Sequence, residues 1–195
     1  MNLYLQRLLA LVGLIVLSPV LALTAASILV FTGGPVIYRA ERIGSGRRSF
    51  VQLKFRTMIN GADQLLDGEL GVPTTTRVTR VGALLRKSSL DELPQLWNVV
   101  RGDMALVGPR PLLPAVADRI PADHRRYSVL PGITGLAQIS GRNELLWSKR
   151  LHLDAEYAAS RSFLLDIEIL SKTLAKTASG SGVSQDRNSD EVMDI

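Results

Sequence analysis

The sequence predicts a mixed α/β chain, mostly helical with one small β-hairpin, that enters a membrane through its amino-terminal segment. Three observations carry this expectation: an uncharged apolar run from Leu8 to Thr32, two short β-type runs on either side of Gly44-Ser-Gly46, and apolar residues at helical spacing from Phe163 to Leu174. With 195 residues, 46% of them hydrophobic, the chain holds one ordinary domain plus a membrane segment rather than two independent cores.

The apolar run covers 25 residues. At about 1.5 Å rise per residue it suffices to cross a ~30 Å hydrocarbon core. Ser18-Pro19 lies in its middle. Pro19 has no amide proton, so the carbonyl of Ile15 loses its helical donor and a bend is expected there. The Ser18 hydroxyl is close enough to help replace that donor. Basic residues flank both ends, with Arg7 before the run and Arg39, Arg42, Arg47, Arg48, Lys54 and Arg56 after it. The positive-inside rule puts the downstream end on the cytoplasmic side, and Arg7 favours that side too. A kinked span and a re-entrant segment that bends and returns both remain open on these residues. A signal peptide does not fit, because the run exceeds the usual ~7–15 residues and the charge behind it opposes translocation.

Beyond the membrane segment, Val36-Ile-Tyr and the stretch from Ser49 to Arg56 read as two strands joined by a turn. Gly61 to Leu70 predicts a helix, broken by Gly71-Val-Pro-Thr-Thr-Thr. Leu113, Val116 and Ile120 predict a helix kept short by Pro114. Phe163, Ile167, Leu170 and Leu174 draw one apolar stripe on a helix over 162–176, either buried against the domain, the commoner arrangement, or lying on a bilayer surface. From Thr177 the chain turns small, polar and acidic, too poor in apolar area to order itself.

Composition narrows the chemistry. The absence of Cys excludes disulfides and thiolate metal sites, and His124 and His152 stand too isolated to suggest zinc. A net charge of +5 comes with four Tyr, four Phe and two Trp, few platforms for stacking bases. Anionic lipid or phosphate is therefore expected as partner, and no nucleic acid, since no recognition motif accompanies the charge. The glycine turns Pro131 to Gly135 and Gly141-Arg142-Asn143 let a backbone approach a ligand, but they match neither phosphate-loop nor dinucleotide spacing.

The informative stretch runs from Ser88 to Leu96. Pro94 is tolerated only in the first turn of a helix, so a helix should begin close to Asp91. The carboxylate would then sit at the positive end of the dipole, which favours the ionised form that a nucleophile or a metal ligand needs. A plain helix cap at Asp91 followed by Glu92 in the first turn fits the same residues. Cations surround the pair, with Arg77, Arg80, Arg86 and Lys87 before it and Arg101 and Arg110 after it, a density that suits a diphosphate. Prolines on both sides of Arg110 present its guanidinium from a stiff loop. Lys54 and Arg56 alternate with Phe55 and so share one strand face, turned to phosphate or to solvent.

Taken in order, Ser18-Pro19, KFRTM (54–58), RVTRVGALLRKSSLDELPQLWNVVRGDMALVGPRP (77–111) and LPGITGLAQISGRN (130–143) resemble the bacterial sugar transferases, also called monotopic phosphoglycosyl transferases, from about Arg7 to Thr177. The resemblance implies a monotopic protein with a re-entrant helix over 1–34, broken at Ser18-Pro19. It further implies a catalytic domain over 35–176 with interfacial amphipathic helices on the cytoplasmic face of the bacterial inner membrane, leaving 177–195 as a disordered acidic tail. By the same resemblance Asp91 and Glu92 are catalytic, Asp91 also contacts Mg²⁺, Lys54, Arg86 and Arg110 contact phosphate, and Arg142 lies nearer the nucleotide or sugar. The implied reaction is ping-pong: Asp91 attacks the β-phosphate of a UDP-sugar, UMP leaves, and polyprenol (undecaprenyl) phosphate takes the phosphosugar. Ala105, Ala158-Ala159 and Thr74-Thr75-Thr76 depart from the family's usual residues without touching the dyad. The competing expectation is a non-catalytic membrane adaptor that binds nucleotide-sugars or anionic lipids.

Overall fold

The computed structural model describes residues 1–62, 77–141 and 145–178. Most of the helix expected over 61–70, Arg142, and all but the start of the tail lie outside the described residues.

The chain opens with α1 (Leu3–Val16) and α2 (Ser18–Thr32), which meet at a bend of 62°. The Ser18 hydroxyl donates to the Ile15 carbonyl at 2.8 Å, supplying the partner that the missing Pro19 amide withholds. Neither helix alone is long and apolar enough to cross a membrane, whereas the bent pair passes by length and composition. One side of each helix docks onto the rest of the chain. Ala10 packs with Val99 and Met104, and Ile28 with Phe55 and Leu85. The other sides leave Leu8, Val12, Ile15, Leu23, Val30 and Phe31 exposed.

The expected hairpin forms from β1 (Ile37–Ile43) and β2 (Ser49–Phe55), antiparallel, with Ile37 opposite Phe55 and Ile43 opposite Ser49. Further on come α3 (Arg80–Lys87), a 3₁₀ turn (Leu90–Glu92) and α4 (Gln95–Arg101). Polar side chains bolt α4 to β2. Asn98 accepts from the Leu53 amide at 3.0 Å and donates to the Val51 carbonyl at 2.7 Å, while Gln52 donates to Gln95 at 2.9 Å. Gln95 and Asn98 are fully buried, so these bonds fix the register between the helix and the strand that carries Lys54.

A second, two-stranded parallel sheet pairs β3 (Ala105–Val107) with β4 (Gly132–Thr134). Between them lies α5 (Pro114–Ala117), short as expected although Pro114 is its first residue and so sets its start rather than its length, with Val116 and Ile120 turned to the core and Leu113 exposed. The chain closes with α6 (Leu136–Ser140), α7 (Trp147–Ser160) and α8 (Phe163–Ala178).

On α8 the stripe read from the sequence is not the buried face. Phe163 and Ile167 are exposed, Leu164 is 79% and Leu174 71% exposed, and only Leu170 of the stripe packs against the cluster of Val107, Val129, Tyr157 and Ile169. The inward seam is Asp166, Ile169 and Thr173. Asp166 is buried because it accepts from the Tyr157 hydroxyl at 2.7 Å and from the Met1 amine at 2.5 Å, and the Thr173 hydroxyl lies 2.7 Å from that of Thr134. Polar residues flank Ile169 on the seam, so a search for apolar periodicity finds the outer face instead.

Candidate active site at Asp91 and Glu92

The site begins with a close approach. A Cβ on Gly82 would lie 2.0 Å from the Thr57 carbonyl oxygen, so only glycine lets α3 settle on the KFRTM segment. The Thr79 amide donates to that carbonyl at 3.0 Å, and Arg86 Nε donates to the Thr57 hydroxyl at 3.0 Å. After α3 the backbone reverses through Ser89, held in the left-handed region at φ 56°, and delivers Asp91 and Glu92 in the 3₁₀ turn beneath β2.

The α-helix itself starts only at Gln95, with Pro94 as its N-cap, so Asp91 stands ahead of the helix rather than at the start expected for it. The residue is 9% exposed, and its carboxyl titrates above the ordinary carboxylate range. Burial is the main cause and the neighbouring charge of Glu92 the second, opposed by Lys54, Arg86 and Arg110. The expected help of a helix dipole to the ionised form is thus outweighed. Among the described residues the Asp91 carboxylate has no hydrogen bond or ion pair.

Glu92 is the opposite case. Its Oε1 accepts from Lys54 Nζ at 2.9 Å and from Arg110 Nη2 at 2.7 Å. Burial alone would raise this carboxyl, but the charges and hydrogen bonds of Arg110 and Lys54 hold it below the ordinary carboxylate range. Attraction to Glu92 in turn raises Arg110 further, despite burial. Lys54 falls below the ordinary lysine value, through burial first and Arg110 second, against the pull of Glu92 and Asp91. The result is a bound acid bridging two cations, next to an acid with no direct partner.

Arg110 is held by more than its flanking prolines. The Gly132 amide donates to the Pro109 carbonyl at 2.9 Å, and Arg126 Nη2 donates to the Arg110 carbonyl at 2.6 Å. The same Nη2 lies 3.2 Å from Asp154 Oδ2, in a pair that is almost wholly buried. Burial pushes Asp154 up to about 6, with Arg126 and Arg150 pulling the other way. Sequence reading missed Arg126, Asp154, Gln52, Gln95 and Asn98. The available signal was weak: polar residues three apart on α4, and charges set among Tyr127, Leu151 and Leu153.

Lys54 and Arg110 therefore meet on Glu92 beside Asp91, and Arg86, held by the Thr57 hydroxyl, joins them in favouring the Asp91 carboxylate. Arg56, expected to share a face with Lys54, meets neither phosphate nor solvent. It is buried and donates to the carbonyls of Thr32 and Gly34 at 2.8 and 2.7 Å, closing the carboxyl end of α2. Ser18 and Pro19 stand at the helix break, remote in sequence from this centre. No group of three metal-ligating side chains occurs among the described residues. A hard cation such as Mg²⁺ does not need one in a diphosphate site, where one carboxylate, waters and substrate oxygens suffice. Asp91, an oxygen donor with no other partner among the described residues, fits that role.

The sequence model of the family described as bacterial sugar transferase matches residues 1–180. A Bacillus subtilis (strain 168) protein named "Uncharacterized sugar transferase EpsL" is 43% identical over 172 residues, covering 86% of this chain and 82% of the relative. The UDP-glucose:undecaprenyl-phosphate glucose-1-phosphate transferase of Caulobacter vibrioides is 41% identical over 168 residues, covering 80% of this chain and 62% of the relative. The undecaprenyl-phosphate galactose phosphotransferase of Salmonella typhimurium is 38% identical over 156 residues, covering 72% of this chain and 33% of that longer protein.

Proposed function

This chain belongs to the bacterial sugar transferase family, and from that premise we propose that it transfers a sugar phosphate from a UDP-sugar to polyprenol phosphate through a phosphosugar on Asp91. The observation that carries the reading is the contrast within the dyad: Glu92 is engaged by Lys54 and Arg110, whereas Asp91 keeps a carboxylate without a direct partner among the described residues. A nucleophile needs an unengaged lone pair, and a residue that fixes cations needs the reverse.

In the first step a carboxylate oxygen of Asp91 attacks the β-phosphorus of the donor, the bond to the bridging oxygen breaks, and UMP departs with that electron pair. In the second, an oxygen of the lipid phosphate attacks the same phosphorus and frees the carboxylate. Lys54 and Arg110, oriented by Glu92, face the diphosphate charge, and Arg86 adds a third cation near Asp91. Mg²⁺, held by Asp91, would supply further neutralisation of the diphosphate. Ionisation of Asp91, disfavoured by burial in the free protein, is favoured once more positive charge enters the site.

The acceptor's lipid gives the exposed apolar surfaces a role. The α1–α2 pair forms a re-entrant element over 1–34 that enters the membrane and returns, and the outer face of α8 rests on the bilayer, with the catalytic domain on the cytoplasmic side. The chain contains no Cys, so Tyr4→Cys and Arg48→Cys each introduce a single thiol. Both should label with an impermeant reagent from the cytoplasmic side only; labelling of position 4 from the opposite side would establish a span instead.

The activity test is release of UMP by a membrane fraction given a panel of UDP-sugars, Mg²⁺ and polyprenol phosphate. Asp91→Asn should stop it. Binding of UDP-sugar without release of UMP in the unsubstituted protein would favour the adaptor reading.

A further inference from the structure

The buried pair of Arg126 and Asp154 has no place in the chemistry above, yet it touches the backbone of a residue that does. Arg126 is 4% exposed and Asp154 5%. Taking both charges out of water is costly, and a pair of this kind is a poor device for stability alone. Its geometry is not optimised for stability either, since Arg126 Nη1 is buried without a hydrogen-bond partner. What the pair does achieve is a tether. Asp154 on α7 holds Arg126, and Arg126 Nη2 donates at 2.6 Å to the carbonyl of Arg110, whose side chain reaches Glu92 at 2.7 Å.

The surroundings keep the tether stiff. Arg126 and Arg47 approach the Tyr127 ring, at 5.7 and 5.5 Å from its centroid. Arg150, one turn before Asp154 on α7, stacks over Trp147 at 4.9 Å and donates to the Leu145 carbonyl at 3.0 Å. The loop's backbone anchors are Gly108 to Thr134 at 2.8 Å, Gly132 to Pro109 at 2.9 Å, and the exchange between Leu112 and Ile43 at 3.3 and 2.8 Å. Arg126 is thus the side chain that fixes the carbonyl of Arg110 itself, between two residues whose φ angles proline already restricts.

We propose that Arg126 and Asp154 are positioning residues that set the Arg110 guanidinium over Glu92 and the diphosphate from behind the loop. This rests on the reading of Arg110 as a phosphate contact given above. A displacement of about 1 Å at such a group is enough to be felt in rate, so the pair acts through Arg110 without touching substrate.

The test is a double-mutant cycle joined to hydrogen exchange on the full chain in detergent or nanodiscs. Arg126→Met removes the donor, and Asp154→Asn, which keeps the shape, serves as the second variant where Arg126→Met does not fold. Each is measured alone and in an Arg110→Ala background, with a UDP-sugar and polyprenol phosphate as substrates. Positioning predicts a loss of about tenfold in the Arg110 background, in whichever of kcat or KM Arg110→Ala itself moves, and little further loss once Arg110 is Ala. It also predicts faster amide exchange at Gly108 and Leu112, whose amides donate to Thr134 and Ile43. Equal losses in both backgrounds, or unchanged exchange over 108–112, would overturn the proposal. If Arg110→Ala keeps full activity, the phosphate-contact reading fails, and the exchange data alone then decide whether the pair holds the loop.

Discussion

In the bent α1–α2 pair, apolar side chains such as Leu8, Ile15, Leu23 and Phe31 face outward, while around Asp91 charged side chains turn inward. Water would penalise both arrangements. The helix pair leaves apolar area uncovered; the dyad and the Arg126–Asp154 pair bury charge. On the proposed function the two regions are complementary, because a lipid phosphate is itself an apolar chain ending in concentrated negative charge. One region suits the tail and the other the head, and α3 and α4, packed against α2 and α1, join them into one body.

The sharpest way to break this comparison is at the charge centre. Asp91→Asn should lower UMP release by ~10³-fold or more while leaving the fold intact, because no hydrogen bond or ion pair in the described protein depends on it. Thermal melts should show equal or greater stability, since the substitution removes a buried charge. Sustained turnover in this variant would remove Asp91 from the mechanism.

Glu92→Gln should cost about 10²-fold in rate. Unlike the change at Asp91, it should also destabilise, by about 2 kcal/mol in denaturant titration, because Lys54 and Arg110 lose their shared counter-charge. Equal stability of the two variants would erase the distinction between an engaged and an unengaged acid. The apolar half is probed more gently by Leu164→Glu on the exposed face of α8. Vesicle flotation should weaken severalfold, with a stability change within ~0.5 kcal/mol. A large loss of stability would mean that this face is covered within the protein.

The smallest expected effect concerns pH. Asp154 titrates at about 6 in the folded chain, above the ordinary 3.8, so the folded state holds its proton more tightly than the unfolded state does. This group's contribution to stability is therefore present below 3.8 and lost as pH rises towards about 6. Asp154→Asn should flatten the stability profile across that window relative to the parent; an unchanged profile would show that Arg126 keeps Asp154 ionised throughout.

Much of the fold was legible because its signals are local. Pro19 withholds one amide and the helix bends there; β-type runs around Gly44-Ser-Gly46 pair as a hairpin; Pro114 opens α5 at its first position. The α8 seam was not legible, because its buried face is defined by Asp166 and Thr173, residues that look solvated until Tyr157 and Thr134 are placed against them. Arg56 misled for the same reason. Strand alternation puts it on the face of Lys54, but only the fold puts the end of α2 within reach of its guanidinium.

The sequence by itself determined the family, the broken apolar segment, and the adjacent acids Asp91 and Glu92 with cations nearby along the chain, since each is written in residue types and short spacings. It did not determine which acid is engaged. Asp91 and Glu92 are neighbours of like charge, and their separation into one acid bridging two cations and one without direct partners comes from β2 lowering Lys54 and from the loop after β3 swinging Arg110 onto Glu92 alone. A carboxylate's role is fixed by what comes within hydrogen-bond distance of it. Here both cations arrive from segments distant along the chain, so tertiary structure alone could decide.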